Sequence, residues 1–140
     1  DPQNGCVTQV AKDFHHPNGL AFSPDDRWLY IADSGFTEDP AAPRHIRRFA
    51  VSDAGNNLSG GEALMTCTAG FFDGFRVDQA GRLWTSSAEG VHCYRADGQL
   101  LGKVHVPEMV SNVCFGGAQR NRLFICGTTS LYAIYLKING

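Results

Sequence analysis

One pattern recurs three times along this 140-residue chain, and it constrains the fold more than any other feature. Each copy runs from a polar residue into a short apolar segment, a tight turn and a second apolar segment. The copies are PNGLAFSPDDRWLYIADSG from Pro17, FDGFRVDQAGRLWTSSAEG from Phe72 and VSNVCFGGAQRNRLFICGTTS from Val110. Repeats of this length built only from short strands are typical of β-propellers, so we predict an all-β chain.

Short runs rich in β-branched and aromatic residues, bounded by turn residues, give the predicted strands. These are residues 7–10, 20–22, 28–32, 45–51, 62–68, 74–78, 82–87, 91–94, 100–104, 113–115, 122–126 and 131–136. The Asp97-Gly98 pair predicts a type I′ hairpin turn with positive φ at both positions. The runs WLYIA and LFIC lack apolar/polar alternation, which predicts strands buried on both faces.

The repeat boundaries predict a partial propeller. Residues 1–14 end one blade, 15–70 and 71–107 form two blades, and 108–140 form an incomplete one. Propellers close with about four to eight blades, so about three blades leave an apolar sheet face at each end. We expect a missing N-terminal half or a second copy to close the ring, and we favour a piece of a longer chain. A two-sheet sandwich is the structural alternative.

Composition excludes several classes of function. Charged residues make up 19% of the chain and the net charge is −2, so we expect no nucleic-acid partner. No apolar stretch approaches the roughly 20 residues that span a bilayer, so we expect no membrane partner. The five cysteines include no C-x-x-C pair, which favours reduced, structural thiols in a cytoplasmic protein. A removed signal peptide remains the alternative.

Polar residues occupy the same position in each copy, at the start of its first strand. They are Asn18, Asp73 and either Ser111 or Asn112. In a propeller these positions meet at one mouth of the central channel, where oxygen ligands would suit a hard cation. The alternative is structural. Asn-Gly and Asp-Gly are common turn dipeptides because both tolerate positive φ. Ser111 or Asn112 would instead form a hydrogen bond at the start of its strand.

The three copies, with VPEM before the third, resemble the C-terminal half of the SMP-30/gluconolactonase/luciferin-regenerating-enzyme family. The likeness is closest to bacterial gluconolactonase-like members. It implies a six-bladed propeller with one divalent cation, often calcium, at the channel mouth; Zn²⁺, Mg²⁺ and Mn²⁺ are alternatives. It places metal ligands at Asn18, in a P-N-G motif, and at Asp73, in a D-G motif. Phe72 stands where relatives often have proline, and a further acidic ligand belongs to the family's N-terminal half.

The resemblance also implies hydrolysis of a sugar lactone as the activity. We expect Asp73 to act as general base as well as ligand, and Ser111 and Asn112 to contact the substrate. The alternatives are a non-enzymatic binding propeller and a related esterase with another substrate, since propellers carry many functions. No G-x-S-x-G nucleophile motif occurs, which disfavours a serine hydrolase.

Overall fold

The computed structural model describes residues 2–52 and 57–140, and these form three antiparallel sheets. The described strands are β1 Pro17–Phe22, β2 Trp28–Asp33, β3 His45–Val51, β4 Leu58–Thr66, β5 Phe75–Val77, β6 Leu83–Ser87, β7 Gly90–Tyr94, β8 Leu100–His105, β9 Val110–Gly116, β10 Arg122–Gly127 and β11 Leu131–Tyr135. The first sheet is β1-β2-β3-β4, the second β5-β6-β7-β8 and the third β9-β10-β11. The predicted all-β class is confirmed.

Helical structure in the described ranges is limited to a short 3₁₀ turn, Gly35–Thr37. Within those ranges no helix has the length and apolar character needed to cross a bilayer.

Two apolar cores lie between the three sheets. The core between the first and second sheets comprises Tyr30, Ala32, Ile46, Met65, Cys67, Phe72, Phe75, Leu83 and Tyr94. The core between the second and third comprises Trp84, Val91, Cys93, Val106, Val110, Val113, Phe115, Leu123 and Ile125. A two-sheet sandwich has a single core between its sheets. The three sheets and two cores of the described residues therefore do not form a two-sheet sandwich.

Burial follows from this layering. Every residue of β6 and β7 is buried, because the second sheet is covered on both faces. In β2 all residues after Trp28 are buried, as the WLYIA run predicts. The prediction for LFIC is wrong, because β10 alternates: Leu123 and Ile125 are buried, whereas Cys126 is exposed. Only one face of the third sheet is covered by another sheet in this structure. Buried and exposed side chains therefore alternate along its strands.

Three local predictions are also wrong. Residues 7–10 form no strand, and their side chains are exposed. At Asp97-Gly98 only Gly98 has positive φ, 91°. The carbonyl of Arg95 accepts the Gly98 N–H at 2.9 Å, so the turn begins at Arg95, one residue earlier than predicted, and ends in a glycine with positive φ. Strand β4 begins at Leu58, before the start predicted at residue 62. Residues 53–56, in the interval between the two predicted strands, lie outside the described residues.

Four cysteines, Cys67, Cys93, Cys114 and Cys126, form no disulfide, and they divide into two groups. Cys67 and Cys93 are buried, and burial raises the pKa of the Cys93 thiol to about 11. Cys114 and Cys126 are exposed, contrary to the expectation that all strand cysteines act as small core hydrophobes. They belong to the outward face of the third sheet, opposite its core.

Candidate functional site

Asn18 and Asp73 meet at one end of the sheets. Asn18 is the second residue of β1, and Asp73 lies two residues before β5. The Asn18 side chain lies near enough to the Asp73 carboxylate to lower its pKa. Neither residue has positive φ, so neither occupies the turn conformation that the structural alternative required. We call this end of the sheets the mouth.

The glycines after Asn18 and Asp73 allow the sheets to approach closely. A Cβ on Gly19 would lie 2.1 Å from the carbonyl oxygen of Asp73. A Cβ on Gly74 would lie 2.3 Å from the side-chain Cγ of Asn112. Both distances are too short for any other residue without movement. The Asn-Gly and Asp-Gly pairs therefore serve inter-sheet packing, one of the uses of glycine that needs no turn.

The pairing of β1 with β2 is irregular beside the mouth. The register between β1 and β2 shifts between Pro17 and Leu20, so Asn18 and Gly19 fall in the irregular stretch. Bulges redirect side chains and are common beside functional sites. Just before this irregular stretch, the buried carboxylate of Asp33 accepts the backbone N–H groups of His15 at 3.0 Å and His16 at 2.8 Å.

Hydrogen bonds from all three sheets reach the backbone of residues 72–74. From the first sheet, the Ser34 hydroxyl donates to the Phe72 carbonyl at 2.5 Å. From the second, the Ser86 hydroxyl accepts the Asp73 N–H at 2.8 Å. From the third, the Ser111 carbonyl accepts the Gly74 N–H at 2.7 Å. The peptide that carries the Asp73 carboxylate is thus anchored on three sides.

The electrostatics of Asp73 favour a cation. The carboxylate is partly buried, and desolvation raises its pKa, while the nearby Asn18 side chain offsets part of that rise. The neighbouring Asn18 amide is neutral, so it does not compensate the negative charge of the desolvated Asp73 carboxylate. Carboxylate and amide oxygens are ligands that Ca²⁺ accepts, and a full set numbers about 6–8 oxygens.

The pair supplies only part of such a coordination set. Among the described residues, no group of three or more His, Cys, Asp or Glu side chains is arranged to hold a metal ion. Asn18 and Asp73 therefore fit a cation site as two of its oxygen donors. The remaining donors would be water, substrate or residues outside this part of the chain.

Ser111 and Asn112 lie beside the pair and are exposed. The Ser111 hydroxyl donates to the Cys126 carbonyl at 3.4 Å, and the Asn112 side-chain oxygen accepts the Val113 N–H at 2.9 Å. Both bonds are the strand-start bonds that the sequence left open as an alternative. Their contact with substrate stays a prediction.

Two other polar clusters of the described chain are structural. The Glu108 carboxylate accepts bonds from the Thr129 backbone and from the hydroxyls of Thr129, Ser130 and Tyr132, and the pKa of Glu108 falls to about 2. His92 is fully buried between Glu89 and Tyr94, and burial lowers its pKa. His92 is therefore a hydrogen-bonded structural residue.

Sequence reasoning missed Ser34 and Ser86. Both are buried hydroxyls near the end of the second strand in their repeat copies, within IADSG and WTSS. Small hydroxyl residues at the edge of an otherwise apolar run were the available signal, because a buried hydroxyl requires a partner.

Comparisons with known proteins agree on one family. The family described as SMP-30/Gluconolactonase/LRE-like region matches residues 1–129. The chain is 36% identical over 127 residues to the pentonolactonase XacC of Haloferax volcanii, covering 87% of this chain and 41% of that protein. It is 28% identical over 148 residues to a gluconolactonase of Zymomonas mobilis, covering 98% of this chain and 39% of that protein.

A solved structure shows the same fold. It is that of XC5397 from Xanthomonas campestris, described as a gluconolactonase, and it superposes with a TM-score of 0.84 at 38% identity. The match covers 97% of this chain and 42% of that one. The chain thus spans about 40% of the length of the curated relatives cited here.

Proposed function

Because the chain belongs to the SMP-30/gluconolactonase/LRE-like family, we propose that it forms part of a metal-dependent hydrolase of sugar lactones. Its three sheets would be blades of a six-bladed propeller, with the mouth at one end of the central channel. The names of the relatives, pentonolactonase and gluconolactonase, support this reaction class. The observation that carries the proposal is the convergence of Asn18 and the partly buried Asp73, where a Cβ on Gly19 would lie 2.1 Å from the Asp73 carbonyl oxygen.

Asn18 and Asp73 would hold the cation, with Ca²⁺ as the first choice. The side-chain oxygen of Asn18 and the carboxylate of Asp73 would be its protein ligands. When bound, a divalent cation supplies Lewis acidity at the lactone carbonyl and lowers the pKa of a bound water. The anchored backbone of residues 72–74 keeps the carboxylate in place through these changes.

Asp73 would also accept the proton of the attacking water. Desolvation raises its pKa, which makes it a stronger base than an ordinary carboxylate. Direct coordination opposes this, because a neighbouring cation favours the ionised form. Transfer through a second water reconciles the two roles. Ser111 and Asn112, exposed beside the pair, would contact the lactone.

The outward faces of the first and third sheets would be covered by further blades. In the first, Leu20 and Phe22 are 57% and 46% exposed; in the third, Leu131 and Tyr135 are 68% and 71% exposed. Apolar surface of this kind favours burial against a partner. The partner would be an N-terminal half of the ring or a second copy of this chain.

The test is hydrolysis of glucono-1,5-lactone and a pentonolactone by this chain and by a full-length protein that contains it, followed by pH-stat with and without Ca²⁺. We expect Ca²⁺-dependent acid release from the full-length protein, which Asp73→Asn abolishes while the fold is retained, and none from this chain unless a second copy completes the ring. The matched control is Asp26→Asn, because Asp26 lies in the β1–β2 turn with a left-handed φ of 56°, which asparagine tolerates. Hydrolysis that survives Asp73→Asn would remove Asp73 from the mechanism. Ca²⁺ binding without hydrolysis of any lactone would favour a binding propeller instead.

A further inference from the structure

Ser34 connects the backbone before Asn18 to the backbone before Asp73. Its N–H donates to the His16 carbonyl at 3.0 Å, two residues ahead of Asn18. Its hydroxyl donates to the Phe72 carbonyl at 2.5 Å, one residue ahead of Asp73. Ser34 and Phe72 are both buried, so the bond between the Ser34 hydroxyl and the Phe72 carbonyl is shielded from water.

The local role that a serine usually has in this position is not the one observed. Ser34 is the N-cap residue of the Gly35–Thr37 turn, where a serine hydroxyl ordinarily accepts an N–H of that turn. Here the hydroxyl makes no such capping bond and crosses to the second sheet instead. The side chain is therefore used to join two sheets.

We propose that Ser34 is a positioning residue that sets the spacing between Asn18 and Asp73, an inference that rests on the proposed function of this pair. The two side chains belong to different sheets, so the distance between them depends on how those sheets are joined at the mouth. Ser34 is a single residue bonded to both peptide segments. A hydrogen-bonded support of this kind behaves as outer-shell partners of metal ligands do.

The experiment compares Ser34→Ala with Ser87→Ala on the chain itself. Ser87 is a matched control, because it is also a buried serine near the mouth and donates its hydroxyl to a carbonyl, that of Gly90, at 3.0 Å. The first readout is the position of the Asn18 side-chain NH₂ signals in a ¹⁵N–¹H spectrum. Asp73→Ala defines where those signals lie once the Asn18–Asp73 contact is lost.

We expect Ser34→Ala to move the Asn18 signals most of the way to their position in Asp73→Ala, and Ser87→Ala to leave them unchanged. Ser34→Cys fills the same space with a weak donor, so it replaces Ser34→Ala if the alanine variant does not fold, and the same movement is expected. Asn18 signals that stay at their wild-type position in the folded Ser34 variant would overturn the proposal.

The second readout is Ca²⁺ affinity by calorimetry. Loss of an outer-shell partner typically weakens metal binding about 10–100-fold, so we expect at least about a tenfold loss in Ser34→Ala relative to Ser87→Ala. Equal affinities in the two variants would count against the positioning role. A wild-type chain that binds no Ca²⁺ would contradict the proposed metal function, and the Asn18 signals would still decide the role of Ser34.

Discussion

Replacing Gly19 with alanine tests the close approach of the first two sheets. The new Cβ would lie 2.1 Å from the Asp73 carbonyl oxygen and 3.0 Å from the Gly74 Cα. Both are backbone atoms, so no side chain can rotate away. The backbone of residues 73–74 would have to withdraw by nearly 1 Å to reach the 3.0 Å that real Cβ contacts respect.

Two opposing effects set the magnitude. Alanine in place of a strand glycine stabilises by roughly 0.5–1 kcal/mol through backbone entropy, and φ at Gly19 is not positive, so this gain applies. Overpacking costs about 1–3 kcal/mol. Moving the 73–74 backbone also strains the bonds from Ser86 and Ser111, at about 1 kcal/mol for each bond lost. We expect a net loss of about 1–3 kcal/mol in the free energy of unfolding.

The assay is urea unfolding, with Gly102→Ala as the matched control. Gly102 lies in the edge strand β8 without positive φ, and a Cβ there would meet no atom within 4 Å. That variant should be unchanged or slightly more stable. If Gly19→Ala is as stable as Gly102→Ala, with equal m-values, the described approach of Gly19 to Asp73 is wrong.

Three further predictions concern pH, association and thiol reactivity. Glu108→Gln should lower the urea midpoint at pH 7, because the lowered pKa of Glu108 makes its ionised form the stabilising one. The difference from wild type should shrink as pH falls from 4.5 to about 2, and a difference independent of pH would contradict this. The chain should self-associate in sedimentation velocity through its apolar outward faces, and a paired Leu131→Lys and Tyr135→Lys substitution should reduce the association; a monomeric wild type at high concentration would refute it. A thiol reagent at pH 8 should label exposed Cys114 and Cys126 much faster than buried Cys67 and Cys93, whose thiol pKa values burial raises; equal rates in the folded chain would exclude the described burial.

The sequence was sufficient to predict most strands and the convergence of Asn18 with Asp73. The strand predictions rest on short apolar runs bounded by turn residues. The convergence rests on the phase of the repeat, because residues at equivalent positions of neighbouring sheets lie at the same end. The reason for the glycines could not be predicted in the same way. Gly19 and Gly74 read as turn residues, whereas their role depends on Asp73 and Asn112 from other sheets.

Other features depended on contacts distant in sequence. The Ser34 hydroxyl bonds a residue 38 positions away, and nothing local distinguishes it from a helix cap. The exposure of Cys114 and Cys126 depends on which face of the third sheet is covered. The Asp97-Gly98 error is local: the choice between two hairpin turns depended on whether Ala96 or Arg95 begins the turn.

The most direct test of the central claim is to locate a bound cation by NMR, with Mn²⁺ as a paramagnetic substitute for Ca²⁺. The account predicts broadening centred on the amide signals of Asn18, Asp73 and Gly74, reversed by Ca²⁺ and absent in Asp73→Ala. Broadening centred elsewhere, for example at the Glu108 cluster, or broadening that persists in Asp73→Ala, would contradict a cation site at the mouth.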